Sequence, residues 1–446
     1  MARSKNANFR IEWLSPSQLT PDPCNPRKHS DRQIKQLAST IRSLGFNSPI
    51  LIDRTGKILA GHGRWLAAKK LGSPEIPTIR LDHLTDAQAK AFMVADNRLA
   101  EISAFDDQLL AQALKDLSDL QLDFSIEATG FTIGEIDLRI ESLDRASEPL
   151  DDQADRLPPT SIQTPVSQHG DLWLLRDHRV LCGSALDALA YQVLMQGAKA
   201  SMGSTDPPYN VPIDGHVTGR GNIHHREFPM ASGEMNEAQF TGFLTIVCTQ
   251  MVRNSRDGSV HYICTDWRHV GELLSAGKAT FSEVLNLCVW TKHNPGMGSF
   301  YRSQHELVFV FKAGRGRNRN NVQLGQFGRN RSNVWSYPGI SSFGRGGEEG
   351  NLAAVHPTVK PVRLVADTIL DCSARGEIVL DPFLGSGTTV IAAERVGRIC
   401  YGMEIDPIYV DTIIRRWQTY SGEFAVHAAT GIRFDEIAAS VEARHG

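Results

Sequence analysis

Cysteines are few in this chain and lie far apart. The seven of them (Cys24, Cys182, Cys248, Cys264, Cys288, Cys372 and Cys400) form no C-x-x-C pair. That argues against a zinc site and a disulfide framework, and it fits a reducing cytoplasm. No apolar run approaches the ~18 residues that a membrane span needs. The stretch MARSKNANFRIEW at the amino terminus lacks an apolar h-region, so neither a signal peptide nor a membrane segment is expected, and a cytoplasmic location is. A large excess of one charge is missing too. The formal net charge is −3, so any contact with nucleic acid must come from a local basic surface. No internal period points to a solenoid or an array. What is present is 446 residues, 41% hydrophobic and 22% charged, the balance of a soluble globular protein with two or three domains.

Composition divides the chain. Residues 9–144 alternate short apolar runs with helical patterns. Residues 145–169 are rich in Pro, Asp, Gln and Ser with almost no large apolar side chain, which reads as a solvated linker. Residues 170–430 form a second domain, and 431–446 read as a carboxyl-terminal tail. In the first domain, Asp31 to Leu44 is predicted helical, with Ile34, Leu37, Ile41 and Leu44 on one face and Gly45 at its end. Residues 48–53 and 58–60 read as strands, Gly61-His62-Gly63-Arg64 opens a helix running to Leu71, and 106–143 is largely helical.

Two short runs carry the chemistry. The first is Thr205-Asp206-Pro207-Pro208-Tyr209. A residue before proline is pushed to extended geometry, so Asp206 is expected to leave its strand with the carboxylate projecting from the carboxyl end of the sheet. Proline fixes φ and has no N–H, which keeps the following carbonyls rigid and free to accept hydrogen bonds. The second run is Asp381-Pro382-Phe383-Leu384-Gly385-Ser386-Gly387-Thr388-Thr389, which follows the buried strand Ile378-Val379-Leu380 and precedes a helix ending at Gly397. Gly385 and Gly387 permit close backbone approach. A further strand, 399–403, delivers Glu404 at its carboxyl end. That is roughly 20 residues beyond Asp381, the separation at which an acid reaches ribose hydroxyls in dinucleotide-binding folds.

In this order the two runs resemble those of the β-group DNA amino-methyltransferases, in which the catalytic motif precedes the cofactor motif. His356-Pro357-Thr358-Val359-Lys360-Pro361 is similar to the family's His-Pro-x-x-Lys-Pro box. The resemblance, over about 169–425, implies an α/β fold: a Rossmann-like S-adenosylmethionine-dependent methyltransferase with a mostly parallel sheet. It implies that Asp206, Pro207, Pro208 and Tyr209 are catalytic. The exocyclic amine of adenine is a poor nucleophile, its lone pair being delocalised into the ring. The Asp206 carboxylate and the Pro207 carbonyl would bind its two N–H groups and favour a pyramidal nitrogen, with Asp206 or water taking the proton. Tyr209 would stack on the flipped base and offset part of the few kcal/mol that flipping costs.

The cofactor S-adenosyl-L-methionine would be held by Asp381, Phe383, Gly385, Gly387, Thr388, Glu404, Lys360 and His356. Among these, Glu404 would bind the ribose and Lys360 the methionine carboxylate. No metal is implied. The chain departs from the family at Ser184, where relatives usually have Asp, and in the strand 198–205. Gly203 and Ser204 put little apolar volume into a central strand, so that strand is expected to be soft.

Residues 312–350 are the candidate target-recognition segment. From Lys312 to Gly347 there are Lys312, Arg315, Arg317, Arg319, Arg329, Arg331 and Arg345, and no acid. Arg fits phosphates and guanine edges, while the interspersed Asn318, Asn320, Asn321 and Gln323 suit adenine. Arg315, Arg317, Arg319, Arg329 and Arg331 are therefore candidate contacts to double-stranded DNA; the alternative is a flexible Gly/Arg loop without sequence specificity. The Gly- and His-rich stretch 211–234 is a second candidate, placed to close over a flipped base.

In the first domain, the run from Ile58 to Ala68 and Ala95-Asp-Asn-Arg-Leu99 resemble the ParB-like amino-terminal domain, a small α+β fold. Nucleotide-binding members cradle CTP with a Gly-Glu-Arg-Arg-x-Arg box. Here only Gly61 and Arg64 remain of it, and the two lost cations argue against CTP, although a helix amino terminus still attracts an anion. The expected activity is site-specific adenine-N6 methylation of DNA, which a DPPY motif favours over cytosine-N4 methylation, the nearest alternative. An alternative of another class is a ParB-like DNA-binding or nucleotide-switch protein with a decayed methyltransferase half. Relatives often dimerise, so a homodimer is an expectation.

Overall fold

A computed structural model describes residues 9–120, 122–145, 153–155, 164–211, 230–293, 295, 300–322, 331–337 and 359–445. The chain divides into two compact units, Met1–Ala146 and Ser147–Gly446. In the first, four strands, β1 (Ile11–Leu14), β2 (Ile50–Ile52), β3 (Ile58–Ala60) and β4 (Ile76–Arg80), form a mixed sheet in the order β1-β4-β2-β3. The helix Asp31–Leu44 starts at Ser30, whose side chain accepts the Gln33 N–H, and stops at Gly45 with φ 87°. The helix His62–Leu71 packs closely on it: a Cβ on Gly63 would lie 3.0 Å from both His29 and Leu37. Leu19, Ile50, Ile52, Ile58, Trp65, Ala68 and Ile76 form the core.

The second unit is built on a ten-stranded sheet. Its strands are β5 (Leu172–Leu175), β6 (His178–Cys182), β7 (Ala200–Thr205), β8 (Ser255–Thr265), β9 (Glu283–Thr291), β10 (His305–Lys312), β11 (Val334–Ser336), β12 (Ile378–Asp381), β13 (Ile399–Glu404) and β14 (Val426–His427). The order is β11-β9-β10-β8-β7-β12-β13-β6-β5-β14, and the five strands from β8 to β6 run parallel. Alternate residues serve opposite faces, as the pleat requires. Val379 and Cys400 join the core that includes Val362, Val390 and Trp417. Leu380 and Met403 join the core that includes Phe240, Phe243 and Leu194. From β7 the chain passes through the helix Glu237–Arg253 to β8 on one side, and from β12 through the helix Thr388–Arg395 to β13 on the other. The sheet order therefore reverses between β7 and β12, and a crevice opens at the carboxyl ends of strands where this happens.

Three expectations change. Strand β7 is poor in apolar volume for a steric reason: a Cβ on Gly203 would stand 2.4 Å from His261 Nδ1 and 2.6 Å from Met251 Cε. The neighbours supply the missing volume. The His261 ring is fully buried, and burial pushes its pKa down to about 3, so it packs as a neutral side chain. The supposed solvated linker is partly built into the second unit. Ala154, Asp155, Val166 and Ser167 are buried. Asp155 Oδ1 accepts the Val362 N–H at 2.8 Å, while the Asp411 carboxylate accepts the Val166 and Ser167 N–H groups at 2.7 and 3.0 Å. The supposed tail contains the helix Phe434–His445, and Phe434 packs edge-on against Trp173 at 5.2 Å. Among the described residues no helix is long and apolar enough to cross a membrane.

The Gly203→Ala variant is expected to lose roughly 1–3 kcal/mol of stability through overpacking, measured as a lower midpoint in urea unfolding.

Candidate active site

Strands β7 and β12 pair in register, Met202 opposite Val379 and Gly203 opposite Leu380. Their ends are pinned by one side chain. Asp381 accepts Thr205 Oγ1 at 2.7 Å, Thr389 Oγ1 at 2.6 Å and the Phe383 N–H at 3.0 Å. Burial raises its pKa to about 6, against the pull of the two threonine hydroxyls. Asp381 thus acts chiefly on the protein itself. It shapes the glycine loop and ties it to the strand that delivers Asp206, a role different from the expected cofactor contact.

The loop after β12 turns at Gly385, φ 53°, and Gly387, φ 84°. A Cβ on Gly387 would lie 2.9 Å from Ile413, so the turn is pressed against the helix Pro407–Ser421 and any side chain there would push it away. Arg416, buried on that helix, supports the loop although no sequence motif marks it. It donates to the Ser386 carbonyl at 2.9 Å and to the Ala154 carbonyl at 2.8 Å. Glu404, at the end of β13, accepts the Gly385 N–H on one oxygen and the Asp406 N–H on the other, both at 2.9 Å. Burial raises its pKa to about 7. One pocket is lined by Asp206, Pro207, Pro208, Tyr209, Lys360, Phe383, Gly385, Thr388 and Glu404. The two runs singled out in the sequence meet there.

Lys360 does something the sequence did not suggest. Its ammonium donates to Asp206 Oδ2 at 2.5 Å and forms an ion pair with Glu306 Oε2 at 2.9 Å. It is therefore turned to the catalytic tetrapeptide, and the expected pairing with a methionine carboxylate is corrected. Tyr209 donates its hydroxyl to Asp206 Oδ1 at 2.5 Å. Glu306, on β10, also takes Lys292 Nζ at 2.5 Å. Burial opposes the charge on Lys360, but Asp206 and Glu306 more than offset it and raise its pKa. Burial also works against the Glu306 carboxylate, yet Lys360 and Lys292 bring its pKa down to about 2. For Asp206 the net direction is upward, burial foremost, with Lys360 opposing and Glu306 adding. Glu306 and Lys292 were not among the site residues expected from the sequence. His356 lies outside the described residues.

The arginine-rich stretch divides. Arg315, Arg317 and Arg319 are exposed, with Arg319 3.6 Å from Glu377. Arg331 is largely buried, 3.0 Å from Asp371 and 3.7 Å from Asp367, and it lies over the Trp335 ring. Burial disfavours its charge, but those two acids raise its pKa. It holds the fold together and is withdrawn as a DNA contact. Asn321 is also buried, donating to the Leu370 and Ser373 carbonyls at 2.7 and 2.8 Å. Arg329 and most of 211–234 lie outside the described residues. In the first unit, Arg64 turns inward to donate to Ser48 Oγ at 2.5 Å, and His62 Nε2 accepts the Asp22 N–H at 3.3 Å. Among the described residues no group of three or more His, Cys, Asp or Glu could hold a metal.

The DNA methylase family model matches residues 201–415, the ParB N-terminal domain model 1–98, and the ParB-methyltransferase HTH domain model 108–169. The ParB-like nuclease domain-containing protein YnaK of Escherichia coli (strain K12) is 45% identical over 80 residues, 18% of this chain and 92% of that protein. The type II methyltransferase M.HpaI of Haemophilus parainfluenzae is 24% identical over 249 residues, 53% of this chain and 72% of that protein. The crystal structure of the M1.HpyAVI–SAM complex is similar at 18% identity and a TM-score of 0.38, covering 53% of this chain and 98% of that one. The fold and the site define a Rossmann-like DNA methyltransferase. The chain carries a DNA methylase domain of the N6/N4 family, whose methyl donor is S-adenosylmethionine, and ahead of it a ParB N-terminal domain. The third match places the helices Asp107–Ser118 and Ile133–Arg145, read from the sequence only as helical, in a helix-turn-helix family.

Removing the Lys360 cation leaves a buried carboxylate uncompensated, which typically costs about 3–5 kcal/mol. The Lys360→Met variant is expected to lose about that much at pH 8. The Asp206 pKa, already raised, rises further without Lys360, so the penalty grows as pH climbs through it and shrinks towards pH 5. Thermal melts of both proteins across that range measure it.

Proposed function

We propose that this chain is a DNA adenine-N6 methyltransferase of the cytoplasm, acting on a flipped adenine in double-stranded DNA. The observation that carries the reading is the shared pocket: Asp206 and the glycine loop at Gly385 and Ser386 line one crevice at the reversal of strand order. The residues present fit S-adenosylmethionine. Glu404 offers an acceptor for ribose hydroxyls, and Ala185, Phe383 and Ile405 supply apolar wall for an adenine ring. The helix Thr388–Arg395 opens on the loop, and its first N–H groups favour an anion, which suits the methionine carboxylate now that Lys360 is engaged elsewhere. When bound, the cofactor supplies an electrophilic methyl group on a sulfonium.

Asp206 and the Pro207 carbonyl orient the target amine. A carboxylate has about four lone-pair sites, and Lys360 and Tyr209 use two on Asp206, so acceptor capacity remains for an amine N–H. As the nitrogen gains its methyl carbon, the surplus proton passes to Asp206. Tyr209, its hydroxyl fixed on Asp206, offers a ring for the flipped base to stack on, worth roughly 1–3 kcal/mol. Arg315, Arg317 and Arg319 are proposed as phosphate contacts. The adenine choice rests on the Asp206-Pro207-Pro208-Tyr209 version of the motif.

Base-resolved mapping of DNA from cells expressing wild type or Asp206→Ala tests the function. Methyl-N6-adenine at one sequence in the wild type alone is expected, methyl-N4-cytosine would move the assignment to the other amine, and identical maps would overturn the enzyme reading. A separate outcome concerns pH. The Glu404 carboxylate, not its acid form, accepts two hydroxyls, and its pKa is raised to about 7. Cofactor affinity measured by calorimetry should therefore weaken as pH falls through 7 in the wild type, and stay flat and weaker in Glu404→Gln.

A further inference from the structure

The β9–β10 pair of strands brings two charged residues up to Lys360, which lines the pocket. Glu306 faces Trp290 across the ladder, and the Lys292 N–H continues it by donating to the Gln304 carbonyl at 2.9 Å. The side chains then form a chain of charge: Lys292 Nζ to Glu306 Oε1 at 2.5 Å, Glu306 Oε2 to Lys360 Nζ at 2.9 Å, and Lys360 Nζ to Asp206 Oδ2 at 2.5 Å. Tyr209 closes it, its hydroxyl 2.5 Å from Asp206 Oδ1 and 3.2 Å from Glu306 Oε2. Two carboxylates and two ammonium groups balance. The Glu306 and Lys360 side chains are only 12% and 7% exposed.

We infer that Glu306 is a positioning residue for methyl transfer: anchored by Lys292, it shares the Lys360 ammonium with Asp206 and keeps Asp206 basic enough to take the amine's hydrogen bond and its proton. The inference rests on the reading of Asp206 as the amine-binding carboxylate. A one-to-one pair with Lys360 would leave Asp206 a poor acceptor, because an opposite charge within ~4–6 Å holds a carboxylate in its charged, weakly basic form. With Glu306 drawing on the same ammonium, that pull is divided. Other groups near Asp206 do not substitute. Burial raises the Cys264 thiol on β8 far above its usual range, and Asp381 on β12 is engaged with Thr205 and Thr389. The proton leaving the amine nitrogen goes to Asp206, and from there to water. Glu306 is not its acceptor, since Lys292 and Lys360 hold that group ionised.

The test uses the ligand-free full chain with ¹³C-carboxyl-labelled aspartate, the Asp206 signal being assigned by its loss in Asp206→Asn. In Glu306→Gln the Asp206 titration midpoint should move down by about 1 to 3 pH units. In Lys292→Met, where Glu306 grips Lys360 alone, it should move up, so the inference can be tested even if one variant fails to fold. In turnover with DNA, Glu306→Gln should lower kcat roughly tenfold with the KM for S-adenosylmethionine unchanged and the acid limb of the pH profile displaced downward. Glu306→Asp should recover part of the loss. A purely structural role would lower kcat without moving the limb. An unmoved midpoint in Glu306→Gln overturns the inference and leaves the methyltransferase reading standing. A moved midpoint in a protein that methylates no DNA upholds the charge sharing and overturns the methyltransferase reading.

Discussion

The Asp381 carboxylate, accepting Thr205 Oγ1 from β7 and Thr389 Oγ1 from the helix beyond the glycine loop, is the contact on which the rest of the second unit depends. A buried carboxylate is unfavourable unless donors surround it, and this one has two hydroxyls and a backbone N–H. Those donors come from the strand that delivers Asp206, from the loop that turns at Gly385 and Gly387, and from the helix beyond it. Without the pin, β7 and β12 would still pair, but their ends would be free to splay, and the crevice between them is formed by those ends.

On this frame the protein gathers charge where water is scarce. Asp206, Lys360, Glu306 and Lys292 form an alternating row, each within hydrogen-bonding reach of the next. Electrostatic interactions strengthen in such surroundings, so the row sets the basicity of Asp206 more firmly than exposed pairs would. The cost of desolvation is divided over four groups of balanced sign. An uncompensated member would be strongly destabilising, which makes this arrangement both a structural element and a chemical one.

Distant segments support the row. The helix Val362–Cys372, which begins just after Lys360 and Pro361, has no side-chain cap of its own. Its first N–H is capped by Asp155, from a stretch that sequence composition reads as solvent-exposed. Its carboxyl end receives Asn321, and its acids Asp367 and Asp371 receive Arg331. The described flanks of the arginine-rich segment are thus fastened to the element that positions Lys360. A helix held at both ends keeps a long lysine side chain within the narrow range of angles that two carboxylates require.

The strand-loop-helix at Asp381–Thr389, the acid at Glu404 and the place of Asp206 just past the end of a strand were legible in the sequence. Each follows from rules that act within a few residues: pre-proline geometry, glycine at positive φ, and an apolar run ended by an acid. The helix Asp31–Leu44 and the strands beside it were legible for the same reason. Partnership was not. Whether Lys360 faces a cofactor or Asp206, whether Arg331 faces DNA or Asp371, and whether Gly203 is a weakness or a clearance for His261 depend on strands and helices far apart along the chain. The sequence by itself determined which groups could do chemistry here. The sheet order alone decided which of them meet, because charge pairing and close packing act through space and leave no periodic trace along the polypeptide.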